Sequence, residues 1–161
     1  MKIGLMADSH EHMEKIKEAV RVFNQEEVEM VLHAGDIISP ITCRYFKDLN
    51  SKLIAVFGNN DGEKDFLRSQ FTAIGAEIHQ PPLELTIDGK KVLIYHSPDF
   101  LNILAESGHY DLILYGHTHK IDLRSGKTMV VNPGECSGWL SGRATIGILE
   151  TEDMSVRIVD L

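Results

Sequence analysis

The segment MKIGLMADSH, residues 1–10, decides how the rest of the chain is interpreted. Residues 2–7 form a short apolar run without helical periodicity, which predicts a buried β-strand. Asp8 and His10 follow directly after it. Because ligands in open α/β sheets bind beyond the carboxyl ends of the strands, a carboxylate and an imidazole at this point can converge on one cation.

The same pattern returns four more times along the chain. Apolar runs end in Gly35-Asp36, in Gly58-Asn59-Asn60-Asp61, in His96 and in Gly116-His117-Thr118-His119. Each run is short enough for a strand and is followed at once by Asp, Asn or His. We therefore expect these side chains to gather at one edge of a sheet.

Composition limits the function classes. The chain has 161 residues, of which 43% are hydrophobic and 25% charged, so we expect one globular domain over residues 1–161. A formal net charge of -8 argues against a nucleic-acid binder held mainly by phosphate contacts. It does not exclude an anionic substrate, because bound divalent ions would reverse the local field. This composition is compatible with a homo-oligomer.

Cellular location is also an expectation from the sequence. The two cysteines, Cys43 and Cys136, form no CxxC motif and no disulfide framework, which favours a reducing compartment. A strand that begins at residue 2 leaves no room for a signal peptide, and no apolar run reaches membrane-spanning length. These features predict a cytoplasmic protein that does not bind membranes.

Periodicity divides the chain into two halves. Helices are predicted at residues 13–23, from Ser39-Pro40 to about residue 49, at 63–74, and from Ser97-Pro98 to about residue 108. The first half alternates strand and helix, whereas the second is mostly hairpins, including one at Asp88-Gly89 and two final strands at 144–150 and 155–159. The expected fold class is α/β, with two mixed β-sheets packed face to face and helices on the outside, an αββα sandwich.

Taken together, the motifs resemble those of a known family. Asp8-x-His10, Gly35-Asp36, Gly58-Asn59-x-Asp61, His96 and Gly116-His117-x-His119 resemble, in the same order, the five motifs of the calcineurin-like metallophosphoesterases. The resemblance covers residues 1 to about 134. The short length and the loop Asn132-Pro133-Gly134 are similar to the small prokaryotic phosphodiesterases of the YfcE-like branch, which is also related to a eukaryotic retromer scaffold subunit.

This resemblance implies the metallophosphoesterase fold and a two-metal site. Asp8, His10, Asp36 and His119 would hold one ion, and Asp36, Asn59, His96 and His117 the other, with Asp36 bridging. Such mixed ligands suit two divalent transition-metal ions, such as Mn, Ni, Fe or Zn. The ions would activate a shared water as hydroxide for in-line attack on phosphorus, which places His10, Asp36 and Asn60 at the catalytic centre.

Each residue also has an ordinary structural explanation. Asp8, Asp36 and Asn59 could simply form turns, and His96 could be a satisfied strand-end residue. Their occurrence together, in order, favours the metal interpretation. His33 lies inside a strand and is interpreted as a core residue or one that orients a ligand.

Other residues near the motifs are not predicted to bind metal. Asp61 is expected to hydrogen-bond behind the site or to cap a helix. His12 is predicted on the surface of the first helical turn, and Cys136 as a small packed residue.

Position 60 departs from the family pattern, which usually has histidine there. Asn60 can donate a hydrogen bond but cannot supply a proton near neutral pH. This favours diesters or esters with good leaving groups over simple monoesters. Glu135, which follows Asn-Pro-Gly where serine is frequent, is a second departure, and the sequence alone supports no conclusion from it.

Three functions remain open at this point. The leading one is a metal-dependent phosphodiesterase acting on a small-molecule phosphodiester. A non-catalytic scaffold related to the retromer subunit is the alternative, favoured by Asn60 and opposed by the complete set of seven ligands. Hydrolysis of a bond other than a phosphate ester is the third.

Overall fold

The computed structural model describes residues 1–161 and contains eleven strands and four α-helices. The strands are β1 Lys2–Met6, β2 Met30–His33, β3 Lys52–Val56, β4 Glu77–His79, β5 Leu83–Ile87, β6 Lys90–Ile94, β7 Leu112–Leu114, β8 Ile121–Arg124, β9 Met129–Pro133, β10 Thr145–Glu150 and β11 Ser155–Asp160. The helices are α1 Met13–Gln25, α2 Cys43–Phe46, α3 Lys64–Thr72 and α4 Leu101–Ser107. None of the helices is long and apolar enough to cross a membrane.

The strands form two mixed sheets, which confirms the predicted fold class. The first has six strands in the order β11-β10-β1-β2-β3-β4, and the second has five in the order β5-β6-β7-β9-β8. Strands β1 to β4 run parallel in the first sheet, as do β6, β7 and β9 in the second. The remaining strands pair antiparallel at the edges.

Alternation along the strands explains the layered core. Leu5 and Leu32 lie in an apolar cluster together with Leu114 of the second sheet, so this cluster fills the space between the sheets. Met6, the neighbour of Leu5, belongs instead to a cluster with Phe23 of α1 on the opposite face. Successive side chains of a strand point to opposite faces, so a strand buried on both sides is apolar throughout.

Backbone hydrogen bonds continue beyond the strand ends and join the motif loops. The amide of Asp8 donates to Gly35 O at 3.0 Å, and that of His10 donates to Asp36 O at 3.0 Å. The amide of Gly116 donates to His96 O at 3.1 Å in the second sheet. The loops that follow the parallel strands therefore meet at one edge of the sandwich.

Several element boundaries differ from the sequence prediction. The helix predicted up to residue 49 is only a 3-10 turn, Pro40–Thr42, followed by α2, because Asn24 of α1 hydrogen-bonds to Asp48 O and to the amide of Asn50 and holds this segment as a turn. Helix α4 begins three residues later than predicted, since Phe100 before it has a left-handed backbone. Strand β4 was not predicted; it is a short edge strand paired with β3.

Candidate metal centre

An unusual backbone conformation recurs among the predicted ligands. Five of the seven have left-handed φ angles: Asp8 (51°), His10 (41°), Asp36 (60°), His117 (69°) and His119 (59°). For residues other than glycine this conformation costs on the order of 1–3 kcal/mol and persists only where the surrounding structure enforces it. Such strain concentrates at functional sites, and here it occurs in the loops that follow the carboxyl ends of the strands.

Two motif glycines are required by close approach. A Cβ on Gly58 would collide with the Asp36 carboxylate, and one on Gly116 would come within 2.9 Å of Asp8 Oδ2. The glycines therefore let neighbouring loops approach the two carboxylates without a side chain between them.

One part of the site, which we call the inner half, consists of Asp8, His10 and His119. The Nε2 atoms of His10 and His119 lie 3.8 and 3.7 Å from Asp8 Oδ1. Asp8 is fully buried, and the two imidazoles are 17% and 13% exposed. The amide of His117 donates to the Asp8 carboxylate at 3.0 Å and so fixes its orientation.

The outer half consists of Asn59, His96 and His117. Asn59 Oδ1 lies 2.8 Å from His96 Nε2 and 2.9 Å from His117 Nδ1. His96 is buried, whereas Asn59 and His117 are exposed. His96 Nδ1 donates to Ala34 O at 2.8 Å, which leaves Nε2 directed at Asn59 and Asp36.

Asp36 lies between the two halves. Its Oδ2 is 3.6 Å from His10 Nε2 and 3.4 Å from His96 Nε2. Asn60 donates two hydrogen bonds to the Asp36 carboxylate, from the backbone amide to Oδ1 at 2.8 Å and from Nδ2 to Oδ2 at 2.7 Å. Burial opposes ionisation, but the hydrogen bonds and charge of His96 and the bonds from Asn60 outweigh it and lower the pKa of Asp36.

These donor atoms fit a cation. His10 Nε2 is buried and has no hydrogen-bond partner, although carboxylate oxygens surround it at 3.6–3.8 Å. That separation is too long for a hydrogen bond, but two atoms each about 2.1 Å from one ion lie up to about 4.2 Å apart. Burial also raises the pKa of Asp8 to about 6, although the charges of His96 and His119 lower it. The Asp8 carboxylate therefore lacks a full counter-charge.

Two clusters have donor atoms close enough together to hold a metal ion. Asp8, His10 and His119 form one, and Asp8, Asp36 and His96 form the other, with all donor atoms of each cluster within 4.8 Å of one another. The structure thus brings all seven predicted ligands to one edge. Asp8 is a member of both clusters, whereas the resemblance assigned the bridging role to Asp36 alone. Asp36 also lies near both, since its Oδ2 is 3.6 Å from His10 Nε2 and 3.4 Å from His96 Nε2.

Glu135 is a site residue that sequence reasoning missed. It is fully buried, and its Oε2 accepts hydrogen bonds from His119 Nδ1 at 2.9 Å and from Ser137 Oγ at 2.8 Å. Oε1 accepts from the amides of Leu140 and Ser141. Burial opposes ionisation, but the hydrogen bonds from Ser141, His119 and Ser137 lower the pKa of Glu135 to about 2.

The consequence is a carboxylate that orients a candidate ligand. Since Nδ1 of His119 donates to Glu135, Nε2 carries the lone pair and faces Asp8. The sequence offered two signals: Glu135 departs from the family pattern, and it is a charged residue among small and apolar neighbours, where a buried carboxylate must be paired.

Asp61 and His33 connect the loops behind the site. The Asp61 carboxylate accepts hydrogen bonds from the amides of Asp36, Ile38 and Gly58. This agrees with the prediction that Asp61 hydrogen-bonds behind the site. His33 is fully buried between Ser9 Oγ at 3.0 Å and the amide of Gly35 at 3.0 Å. Burial, with a smaller contribution from the charge of His96, lowers the pKa of His33 to about 3, so the ring is neutral.

Two smaller predictions can be compared with the structure. His12 is the N-cap of α1, where Nδ1 accepts from the amide of Lys15 at 3.3 Å, and is not merely a surface residue of the first turn. Cys136 is fully buried in the core, as predicted, and burial raises its pKa to about 12, so the thiol is unreactive.

Comparison with known proteins agrees with the geometry. Phosphodiesterase MJ0936 of Methanocaldococcus jannaschii is 41% identical to this chain over 165 aligned residues, covering 100% of the chain and 99% of the relative. A solved structure described as a novel archaeal phosphodiesterase superposes with a TM-score of 0.94 at 40% identity, with full coverage of both chains.

More distant structures share the fold alone. The phosphoesterase YfcE from E. coli superposes with a TM-score of 0.69 at 18% identity, covering 99% of this chain and 98% of its own. Zinc-bound Vps29 from Entamoeba histolytica superposes with a TM-score of 0.71 at 18% identity, covering 100% and 98%. The family model of the calcineurin-like phosphoesterase superfamily domain matches residues 1–154, and the chain therefore belongs to the calcineurin-like phosphoesterase superfamily.

Proposed function

We propose that this chain is a metal-dependent phosphodiesterase that cleaves a small-molecule phosphodiester. The observation that carries the proposal is the convergence of buried carboxylate and imidazole donors with no hydrogen-bond partner for His10 Nε2. Membership of the phosphoesterase superfamily and the 41% identity to a phosphodiesterase support the reaction class.

The proposed centre holds two divalent transition-metal ions. Asp8, His10 and His119 would bind one in the inner half, and Asn59, His96 and His117 the other in the outer half, with Asp36 shared. Imidazole-rich donors favour Mn, Ni, Fe or Zn over Mg or Ca. When bound, such ions supply Lewis acidity at the phosphoryl oxygens and a water of lowered pKa as nucleophile.

The residues of the chain have distinct parts in this reaction. Asp36, kept ionised by His96 and Asn60, supplies the central negative charge that both halves use. Glu135 keeps the proton of His119 on Nδ1, so that Nε2 faces the site. The Asn60 amide group is committed to Asp36 and carries no acidic proton, so departure of the leaving group depends on the stability of the released anion.

The scaffold alternative is less well supported. The likeness to Vps29 is at 18% identity and concerns the fold. The strained backbone at five candidate ligands is costly and would bring no benefit to a surface that only docks a partner. Retention of this strain together with the complete donor set favours catalysis.

Metal reconstitution and substrate comparison test the proposal. Protein stripped with a chelator should be inactive, and Mn or Ni should restore cleavage of bis(p-nitrophenyl) phosphate. The metal-loaded protein should cleave this diester much faster than a simple alkyl monoester, because Asn60 cannot protonate a poor leaving group. A preference for alkyl monoesters, or failure of metal-loaded protein to cleave either ester, would contradict the proposal.

A further inference from the structure

A cavity of about 500 Å³ opens directly beside the outer half, and Asn59 and His96 form part of its wall. Its volume lies within the range of about 300–1,000 Å³ that is typical of small-molecule sites. Its other walls come from the end of β3, the loop after β4, the end of β6 and the start of α4. A group bound at the metal centre through Asn59 and His96 would therefore extend into this cavity.

The exposed surface of the lining is mainly apolar, although Gln80 and Ser97 add polar side chains to it. Tyr95 and Tyr110 both line the cavity, but neither hydroxyl is available. The Tyr110 hydroxyl donates to Glu84 at 2.5 Å, and the Tyr95 hydroxyl is buried away from solvent without a hydrogen-bond partner. The tyrosines therefore present their rings, alongside Leu93 and Leu104.

The charges in the lining balance. Apart from His96, the lining holds one basic side chain, Lys64, and one acidic side chain, Asp99. A strongly charged group would find no net attraction there, which favours an uncharged occupant.

Phe100 is an independent observation. It lines the cavity, is 74% exposed, and has a left-handed backbone with φ 60°. An exposed phenylalanine gains nothing from burial, and at this conformation glycine would avoid a steric cost of roughly 1–2 kcal/mol. A bulky apolar residue kept in a strained backbone beside a cavity indicates a binding role for its ring.

We propose that this cavity binds one ester arm of the substrate, and that this arm is flat, uncharged and apolar, such as an aryl group or a heterocyclic base. The inference rests on the proposed phosphodiesterase function, which places the phosphoryl group at Asn59 and His96. The ring of Phe100 covers the arm on the solvent side, and Leu104 lies against it on the helix side. Specificity for the arm thus comes from the cavity walls supplied by both sheets and α4, whereas the metal centre recognises only the phosphate.

Binding of two phosphodiesters of equal charge tests the proposal. Diphenyl phosphate and dimethyl phosphate would be titrated calorimetrically into Mn-loaded protein. We expect diphenyl phosphate to bind at least about tenfold more tightly, because only its arm can bury apolar surface in the cavity. Phe100→Ala should remove about fivefold of this preference. Ile103→Ala removes an equally exposed apolar side chain of α4 that does not line the cavity, and should leave the preference unchanged.

A second variant separates the cavity from the metal centre. Leu104→Trp would place a larger side chain in the cavity and reduce the room for the arm, so it should weaken diphenyl phosphate binding and leave dimethyl phosphate binding unaltered. Equal affinities of the wild type for the two diesters, or equal effects of Phe100→Ala and Ile103→Ala, would overturn the proposal. Cleavage of bis(p-nitrophenyl) phosphate by the same preparation reports separately on the phosphodiesterase function, so a retained binding preference without cleavage would contradict that function and support the cavity assignment.

Discussion

The inner and outer halves of the site hold their side chains in different ways. In the inner half, His119 is oriented by the buried carboxylate of Glu135, which is itself held by three further groups. In the outer half, His96 is oriented by a backbone carbonyl, while Asn59 and His117 are exposed and contact each other. The donor atoms are similar, and each half has one imidazole oriented from behind, but only the inner half uses a buried carboxylate for this.

This difference assigns separate tasks to the two halves. Groups that orient a ligand typically contribute a factor of about 10–100 to metal affinity. We therefore expect the inner half to bind its ion more tightly, and the outer half to exchange its ion more readily. The outer half is also the one that borders the cavity, so its exposed donors are accessible to an incoming substrate.

Removal of the Asp36 carboxylate should impair metal binding in both halves. Asp36→Asn eliminates the charge that both halves use, so both ions should be depleted and activity should fall by about 10³-fold or more, because a bound ion contributes several kcal/mol to the transition state. Metal analysis and diester cleavage provide the measurements. Asp65→Asn, the same change at an exposed carboxylate, is the control. Full metal content in Asp36→Asn with a native circular dichroism spectrum would contradict the assignment.

Asn60→His tests the hypothesis that the site lacks a proton donor for the leaving group at position 60. A general acid contributes about 10²–10⁴-fold where it operates, so esters with poor leaving groups should be cleaved at least about 10²-fold faster. Cleavage of p-nitrophenyl esters should change little, since p-nitrophenolate leaves unaided. Asn60→Gln retains an amide without an acidic proton and should bring no gain. A uniform change across all leaving groups, with metal content intact, would show that Asn60 acts only by holding Asp36.

Glu135→Gln should weaken one half selectively. The substitution preserves the shape but removes the negative charge that orients His119, so inner-half affinity should fall about 10–100-fold. Outer-half affinity should stay within about twofold, as the outer donors have no contact with Glu135. Calorimetric metal titration distinguishes the two steps, and an equal loss in both would show that the halves are not independent.

His33 provides a smaller, pH-dependent effect behind the inner half. Its pKa is lowered from 6.5 to about 3 in the folded protein, because burial disfavours the charged ring. The unfolded chain therefore binds one proton more between these values, so this contribution to stability is complete above pH 6.5 and is lost as the pH falls towards 3.

In metal-free wild-type protein, His33 should lower the free energy of unfolding by about 2 kcal/mol as the pH falls from about 7 to about 5, at about 1.4 kcal/mol per pH unit. His33→Gln lacks this contribution, so its free energy of unfolding should fall by about 2 kcal/mol less over the same range. Urea unfolding at the two pH values measures this difference. A wild-type slope in His33→Gln would mean that His33 is not kept neutral by the fold.

The clustering of the candidate ligands could be predicted from the sequence better than the elements around them. They were expected to converge because each follows an apolar strand, and the carboxyl ends of parallel strands meet at one edge. Glu135 escaped prediction, since its role depends on the distance to His119, sixteen positions away along the chain. The short α2 and the late start of α4 were missed for a related reason: Asn24 and the left-handed Phe100 override local propensity through contacts and conformations that no periodicity reveals.

Calorimetric titration of Mn into chelator-stripped protein tests the central claim most directly. We expect two ions per chain, with the first bound at least about tenfold more tightly than the second. His119→Ala should eliminate the tight step and His117→Ala the weak one, while both proteins keep a native circular dichroism spectrum. A single binding step, two steps of equal affinity, or loss of the same step in both variants would contradict a two-ion centre with a supported inner half and an open outer half.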